Sequence, residues 1–341
     1  MTRTRTFFAQ MRSQAIDSRV WLRILAVFVL LCLMAVVLSA LYFIYIDHRI
    51  QRLDIKLTGT SYENKNRRPE AETWLIVGTD DRSSAPEYQE LYTSGAQEGR
   101  RADVLLLVKK QRTHLTVLSL HRDLDVGPEE DVELVKNTLR VSPQHMVDTF
   151  CSELNIPIDH VVLVTMDAFV QTVDMLGGIS VSFDYPIRDA RTGLDLNAGT
   201  HLLDGRTTLM YMRSHRPEYY VDGKWIAVGG FAGTRVRQQA SAQVMGILLE
   251  KVQEEQGPLL IGGLAWIGRS TVSLDNSTHV SDILSFFDTV AISESVGTLP
   301  NGDGSTRLTA KGQAALKNAD VMSTCSLLRA AGGDEEKKDE F

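Results

Sequence analysis

Residues 74–125 hold three short apolar runs, and each ends in charge. The first, Trp74-Leu75-Ile76-Val77, leads into Gly78-Thr79-Asp80-Asp81-Arg82. Arg101-Ala102-Asp103 feeds the second, residues 104–108. The third, residues 115–120, ends in His121-Arg122-Asp123. Short, continuous apolar runs suit strands covered on both faces. The polar stretch 109–114 has the length of a hairpin loop. A turn centred near Gln111-Arg112 folds the chain back and places Arg101 opposite Arg122, with Asp103 beside them. If the first run lies parallel to the third, residues 78–82 join the same edge. Two guanidiniums side by side repel and cannot shed their protons. A polyanion such as pyrophosphate, with a divalent cation on the carboxylates, would relieve that repulsion. Solvated ion pairs at strand ends fit the same spacing, and spacing alone favours that plainer account, because charged strand ends are common.

The elements that must carry these ends alternate in type. A helical pattern covers residues 143–154, and Pro157 follows it. A strand candidate follows at 160–164, then helical spacing of Phe169, Val170, Val173 and Leu176. Gly177-Gly178 stops that helix, and residues 179–183 read as strand. Asp204 is an N-cap for a helix over 205–212 that delivers Arg213, followed by His215 and Arg216. Residues 217–233 read as a long loop, and a helix opens at Arg235-Val236-Arg237-Gln238 and reaches about Glu255. Arg235 and Arg237 are not on one helical face, so only one points inward. Cations at a helix N-terminus oppose its dipole, which a bound anion would correct. An ordinary solvated helix start fits the same residues. This alternation predicts an α/β fold: a layered α-β-α domain with a central mixed β-sheet.

Ahead of it, residues 24–46 carry no charge, and Trp21, Tyr42 and Tyr45 stand near the ends of the run. At 1.5 Å per residue such a run crosses a hydrocarbon layer about 30 Å thick. It exceeds a usual signal-peptide core, and no small-x-small cleavage site follows. Arg3, Arg5, Arg12, Arg19 and Arg23 mark residues 1–23 as the cytoplasmic side. The expected organisation is a cytoplasmic tail (1–23), a transmembrane helix (24–46), an extracytoplasmic spacer (47–70) with a short strand at 53–57, a domain over 71–304, and a C-terminal extension (305–341) with a disordered end. Outside the cell there is no ATP supply and no nicotinamide pool. The net charge of −7 argues against nucleic acid as a partner. Cys151 and Cys325 fall on the oxidising side, where they either pair or stay as two buried thiols.

Together these residues form a pattern. Gly78-Thr79-Asp80-Asp81-Arg82, Arg101-Ala102-Asp103, Ser119-Leu120-His121-Arg122-Asp123, Gly177-Gly178, His201-Leu202-Leu203-Asp204-Gly205, Tyr211-Met212-Arg213 and Arg237-Gln238-Gln239 occur in an order and spacing that resembles the LytR-CpsA-Psr family of bacterial cell-envelope proteins. The resemblance covers about residues 73–255. It implies a single-pass protein of the bacterial cell membrane with an extracytoplasmic catalytic domain and an apolar groove for a polyprenyl tail. Such proteins move a glycopolymer from a polyprenyl-pyrophosphate carrier to a peptidoglycan hydroxyl, assisted by magnesium. By this resemblance Asp80 and Asp103 hold the metal. Arg82, Arg101, Arg122 and Arg213 bind the pyrophosphate, with Arg237 and Gln238 closing the site; Arg235, offset by one from the family pattern, is a further candidate for the pyrophosphate. Arg122 is a catalytic candidate, and the acceptor hydroxyl needs a base, for which either Asp103 or Asp123 could serve. The partners implied are the polyprenyl-pyrophosphate-linked glycan, peptidoglycan and membrane lipid. Departures from the family pattern stand at His215, where a second arginine is common, and at Ala232 and Thr234. A polyprenyl-pyrophosphate hydrolase and a non-catalytic lipid- or glycan-binding regulator are the other functions that fit.

Overall fold

The computed structural model describes residues 18–59, 71–79, 100–111, 114–254, 257–285, 291–292, 297–298, 307–323 and 325. In chain order its elements are α1 (Ser18–Arg49), β1 (Gln51–Leu53), β2 (Ala71–Thr79), β3 (Ala102–Gln111), β4 (His114–Leu120), β5 (Asp125–Val126), β6 (Glu133–Leu134), α2 (Val135–Val141), α3 (Pro143–Leu154), β7 (His160–Thr165), α4 (Met166–Met175) and β8 (Ile179–Phe183). Then come β9 (Ile187–Asp189), β10 (Leu194–Leu196), β11 (Gly199–Leu203), α5 (Gly205–Arg213), β12 (Glu218–Val221), β13 (Lys224–Ala227), α6 (Gly230–Glu254), α7 (Pro258–Thr271), β14 (Val272–Asp275), α8 (Val280–Leu284), β15 (Ala291–Ile292), β16 (Gly297–Thr298) and α9 (Ala310–Asn318).

By length and composition, the N-terminal helix can cross a membrane. It belongs to a unit of its own, and residues from Arg49 onward form the second.

The main sheet of that second unit runs β1-β14-β7-β2-β3-β4-β15, with β16 also on β4. It is mixed, as expected. β3 pairs antiparallel with both β2 and β4, and β2 pairs parallel with β7. The three runs of residues 74–120 are therefore neighbouring strands, and β2 and β4 point the same way. Both faces are covered, which explains why the runs are continuously apolar rather than alternating. On one face Leu75, Leu105, Leu107, Leu118 and Leu120 pack with Leu139, Met146 and Phe150 of α2 and α3. A second cluster joins Val173, Leu176, Ile179, Met212, Val244 and Leu248, and Val104 of β3 packs against it. Helix α3 starts where Pro143 allows it, with the Ser142 hydroxyl accepting from the His145 N–H at 2.9 Å. It ends at Asn155 in the left-handed conformation.

Several boundaries differ from expectation. The hairpin register pairs Gln111 with His114, so the turn lies one residue later than expected. Continued past Leu105–Leu120, that register puts Asp103, not Arg101, across from Arg122. Residues 217–233 are not a loop. They hold the hairpin β12–β13, turned by Asp222 and Gly223 with φ of 50° and 79°. Asp-Gly is the residue pair that such a two-residue turn requires, a signal present in the sequence and overlooked there. Helix α6 begins at Gly230, so Arg235 and Arg237 lie beyond its first turn, and the dipole argument does not apply to them.

The spacer is partly domain. The strand there is Gln51–Leu53, not 53–57, and it pairs with β14. Beyond it the alternating Leu53, Ile55 and Leu57 are buried in the core. At the other end Leu316 and Val321 join the same core, and Cys151 is disulfide-bonded to Cys325. Val280–Leu284 form α8, and residues 286–290 lie outside the described residues, as does the tail from 326.

Candidate functional site

The site is built where β3 and β4 meet their loops. Between β2 and β3 the register shifts: Gly78 faces Val104, while Thr79 faces Ala102. Asp103 is the extra residue, a bulge of the kind that re-aims a side chain. Gly78 permits it, since a Cβ there would stand 3.1 Å from that of Val104. The freed carboxylate of Asp103 accepts from Arg122 and lies 3.6 Å from the Arg213 guanidinium.

Arg122 sits in a tight turn after β4. Its carbonyl accepts from the Lys136 N–H at 2.9 Å, and the Leu124 carbonyl accepts from the Val135 N–H at 2.8 Å. These bonds dock the turn on the start of α2. Lys136 also donates to the Asp123 carboxylate, which lies 3.7 Å from Arg122 Nε. Arg213 is the last residue of α5. Asp204 caps that helix, accepting from the Thr207 N–H at 2.7 Å. Gly205 lets it approach α4, because a Cβ there would fall 2.3 Å from the Val170 carbonyl oxygen. Gly177 and Gly178 have φ of 73° and 91°, which is why α4 stops there. The Gly177-Gly178 and Asp204-Gly205 motifs are thus positioning devices for Arg213.

Arg237 projects inward from α6 and is only 8% exposed, while Arg235 is exposed. The two do divide as their spacing requires. Arg237 is held down to about 10, first by burial and then by Arg122, and so stays charged at neutral pH. Asp103 shows the converse. Burial favours its neutral form, but Arg122, Arg213 and Arg237 outweigh that and hold its pKa below the ordinary value. Asp123 is likewise lowered: burial opposes ionisation, and the Lys136 bond and Arg122 overcome it.

Among the described residues, three buried side-chain atoms have no hydrogen-bond partner: Arg122 Nε, Arg237 Nε and Gln238 Nε2. All three are donors, and all belong to residues expected at the site. Buried polar atoms are nearly always bonded, so orphaned donors beside like charges describe a place for an anion.

The sequence marked His215 only as a departure from the family pattern and gave no sign of Asp189. His215 Nε2 lies 3.2 Å from Arg122 Nη2. Burial, Arg237 and Arg122 push its pKa down to about 4, so the ring is neutral and accepts from the guanidinium. Its signal was the two-residue step from Arg213. Asp189 has no such signal; it is buried and accepts from the Ser214 hydroxyl at 2.7 Å and the Arg216 N–H at 3.2 Å, fixing the turn that carries His215.

Asp80 and Arg82 lie outside the described residues. Arg101 immediately precedes β3, two positions before Asp103. Among the described residues no group of three or more metal-type side chains occurs.

A mixed sheet layered between helices, with arginines converging on a bulged aspartate at one edge, defines a class. The chain matches the LytR_cpsA_psr family over residues 47–261 and belongs to it. A solved LytR-Csp2A-Psr enzyme from Actinomyces oris is 30% identical, with a TM-score of 0.66 over 81% of this chain and 97% of that one. The probable cell wall biosynthesis protein LcpB of Corynebacterium glutamicum is 30% identical over 146 residues, 41% of this chain and 35% of that protein. The polyisoprenyl-teichoic acid--peptidoglycan teichoic acid transferase TagU of Halalkalibacterium halodurans is 31% identical over 150 residues, 42% of this chain and 45% of that protein. The matches span less than half the length of these two curated relatives.

Proposed function

We propose that this protein is a phosphotransferase anchored in the bacterial cell membrane, with its N-terminus cytoplasmic and its domain outside. It moves a glycopolymer from a polyprenyl-pyrophosphate carrier to a hydroxyl of peptidoglycan. The observation that carries this reading is the trio of orphaned buried donors on Arg122, Arg237 and Gln238. Transfer of a teichoic acid from a polyisoprenyl carrier to peptidoglycan is what the name of one relative describes.

In this reading Arg122, Arg213 and Arg237 bind the pyrophosphate, supplying fixed, permanently charged donors. The acceptor oxygen attacks the phosphorus that bears the glycan. The bond from that phosphorus to the bridging oxygen breaks, polyprenyl phosphate leaves, and a phosphodiester remains. Such transfer needs positioning and charge neutralisation more than covalent help. As the pyrophosphate takes over Arg122 and Arg213, Asp103 loses the partners that hold its pKa low and becomes able to accept the hydroxyl proton. Asp123, held by Lys136, keeps Arg122 oriented. Apolar side chains begin directly behind the charge: Val104 follows Asp103, Met212 precedes Arg213, and Met166 Sδ lies 2.8 Å from the Arg213 guanidinium. The prenyl tail would follow them.

The donor set suits magnesium in a limited way. Magnesium is commonly held by one or two carboxylates plus substrate phosphates. Asp80 and Asp103 would be its ligands, Asp103 through the Oδ2 that faces Arg213 until the pyrophosphate takes that guanidinium, and the ion would supply further neutralisation of phosphate charge.

The test is a product assay with the full-length protein, a polyprenyl-pyrophosphate-linked saccharide and peptidoglycan. Saccharide bound covalently to washed peptidoglycan is expected. Free phosphorylated saccharide instead would make the protein a hydrolase, and binding without turnover would make it a non-catalytic binder.

A further inference from the structure

Helix α7 has no charged side chain before Arg269. Its inner face is accounted for. Leu260 packs on the second core cluster and Ile267 is buried. Gly263 stands so close to α4 that an added Cβ would lie 2.7 Å from the Met175 sulfur. The outer face is bare: Leu259 is 92% exposed and Trp266 is 47% exposed. Two turns apart, they share one side of the helix. The Arg269 guanidinium lies 3.6 Å from the Trp266 ring centroid. An aliphatic residue, a tryptophan and an arginine on one face suit the boundary between acyl chains and phosphate headgroups.

The strand register identifies which boundary. α7 runs directly into β14, and β14 pairs in parallel with β1, placing Gln51 opposite Ser273. Gln51 follows closely on Ile46, the last residue of the uncharged run. Five residues of chain reach at most about 18 Å. The chain that leaves the apolar segment therefore enters the domain at β1, whose sheet neighbour β14 directly follows α7. Arg49, exposed, adds positive charge at the same point.

We propose that α7 docks on the outer leaflet of the membrane that α1 crosses. Leu259 and Trp266 enter the acyl boundary, and Arg269 meets lipid phosphate. The inference rests on the anchored reading given above. It also gives α4 a role. That helix runs from Met166, beside Arg213, to Met175, beside Gly263 of α7. A helix of its length spans about 15 Å. The pyrophosphate site would thus stand within one short helix of the lipid surface, a distance that the head-group end of a prenyl chain covers along the protein while the rest of the chain stays in the bilayer.

The experiment uses the full chain reconstituted in vesicles of phosphatidylethanolamine and phosphatidylglycerol, with and without brominated acyl chains that quench tryptophan. Trp21, Trp74, Trp225 and Trp266 are the four tryptophans. Subtracting the spectra of Trp266→Phe and of Trp21→Phe from that of the parent isolates each residue. The Trp266 component is expected to vanish in brominated lipid and persist in plain lipid. If Trp21 is quenched and Trp266 is not, the docking is overturned while the anchor stands. A blue-shifted but unquenched Trp266 would mean a protein partner or second copy covers the face, and also overturns it. If Trp21 itself escapes quenching, the anchored reading fails, and this inference with it.

Discussion

Replacing Asp103 by Asn removes the one carboxylate on which Arg122, Arg213 and Arg237 all act. Its side chain is 10% exposed and that of Arg122 is 17% exposed, so water screens the remaining guanidiniums poorly. Removing one partner of a buried ion pair costs roughly 3–5 kcal/mol. At roughly 2–4 °C per kcal/mol for a domain of this size class, Tm should fall on the order of 6–20 °C. Inorganic pyrophosphate should reverse much of the loss, because it supplies the missing negative charge. At a hundredfold excess over Kd, binding contributes about 2.7 kcal/mol. The rescue should be larger in Asp103→Asn than in the parent, where the anion must displace Asp103 from its partners. Because the folded-state pKa of Asp103 is depressed, its contribution is complete above the ordinary value of 3.8 and is lost only as pH falls through the lowered one. The parent–variant difference should therefore be flat across neutral pH and close only in strong acid. Thermal unfolding with and without pyrophosphate measures this. An Asp103→Asn protein as stable as the parent, with no shift from pyrophosphate in either, would refute the reasoning.

Arg237→Ala should lower transfer by about 10²-fold, as loss of a preorganised charge donor does elsewhere. It should cost little stability, since burial and Arg122 already oppose that charge; Arg235→Ala should leave turnover unchanged. His215, neutral down to about 4, gives a stability that is full above its ordinary 6.5 and declines as pH falls from there to about 4. His215→Gln should flatten stability in that window, read by chemical unfolding at several pH values. Replacing Cys151 and Cys325 by Ser removes a link across a sequence separation of 174 and should cost about 2–5 kcal/mol in urea unfolding.

How far the sequence could be read depended on what set each feature. α3 and α4 carry their own boundaries in Pro143, Asn155 and Gly177, so local chemistry places them well. The strands at 74–120 were legible because burial on both faces leaves continuous apolar runs. The partner of Arg122 was not. It depends on a hairpin turn falling one residue later and on a bulge at Asp103, and neither changes the apolar pattern. The hairpin at 218–227 was hidden by its many exposed residues, although Asp222-Gly223 announced its turn. Asp189 acts through contacts between segments distant in sequence, which no local pattern records. Convergence of Arg122, Arg213 and Arg237 is a property of the whole sheet edge, and only the family pattern anticipated it.

The central claim is that these three arginines grip a pyrophosphate. Calorimetric titration of the full-length protein with a short polyprenyl pyrophosphate tests it most directly, at fixed salt, beside Arg122→Ala, Arg213→Ala and Arg237→Ala. The account predicts binding by the parent and a loss of at least about tenfold in each variant, equivalent to about 1.4 kcal/mol. Equal affinity in the parent and all three variants would contradict it.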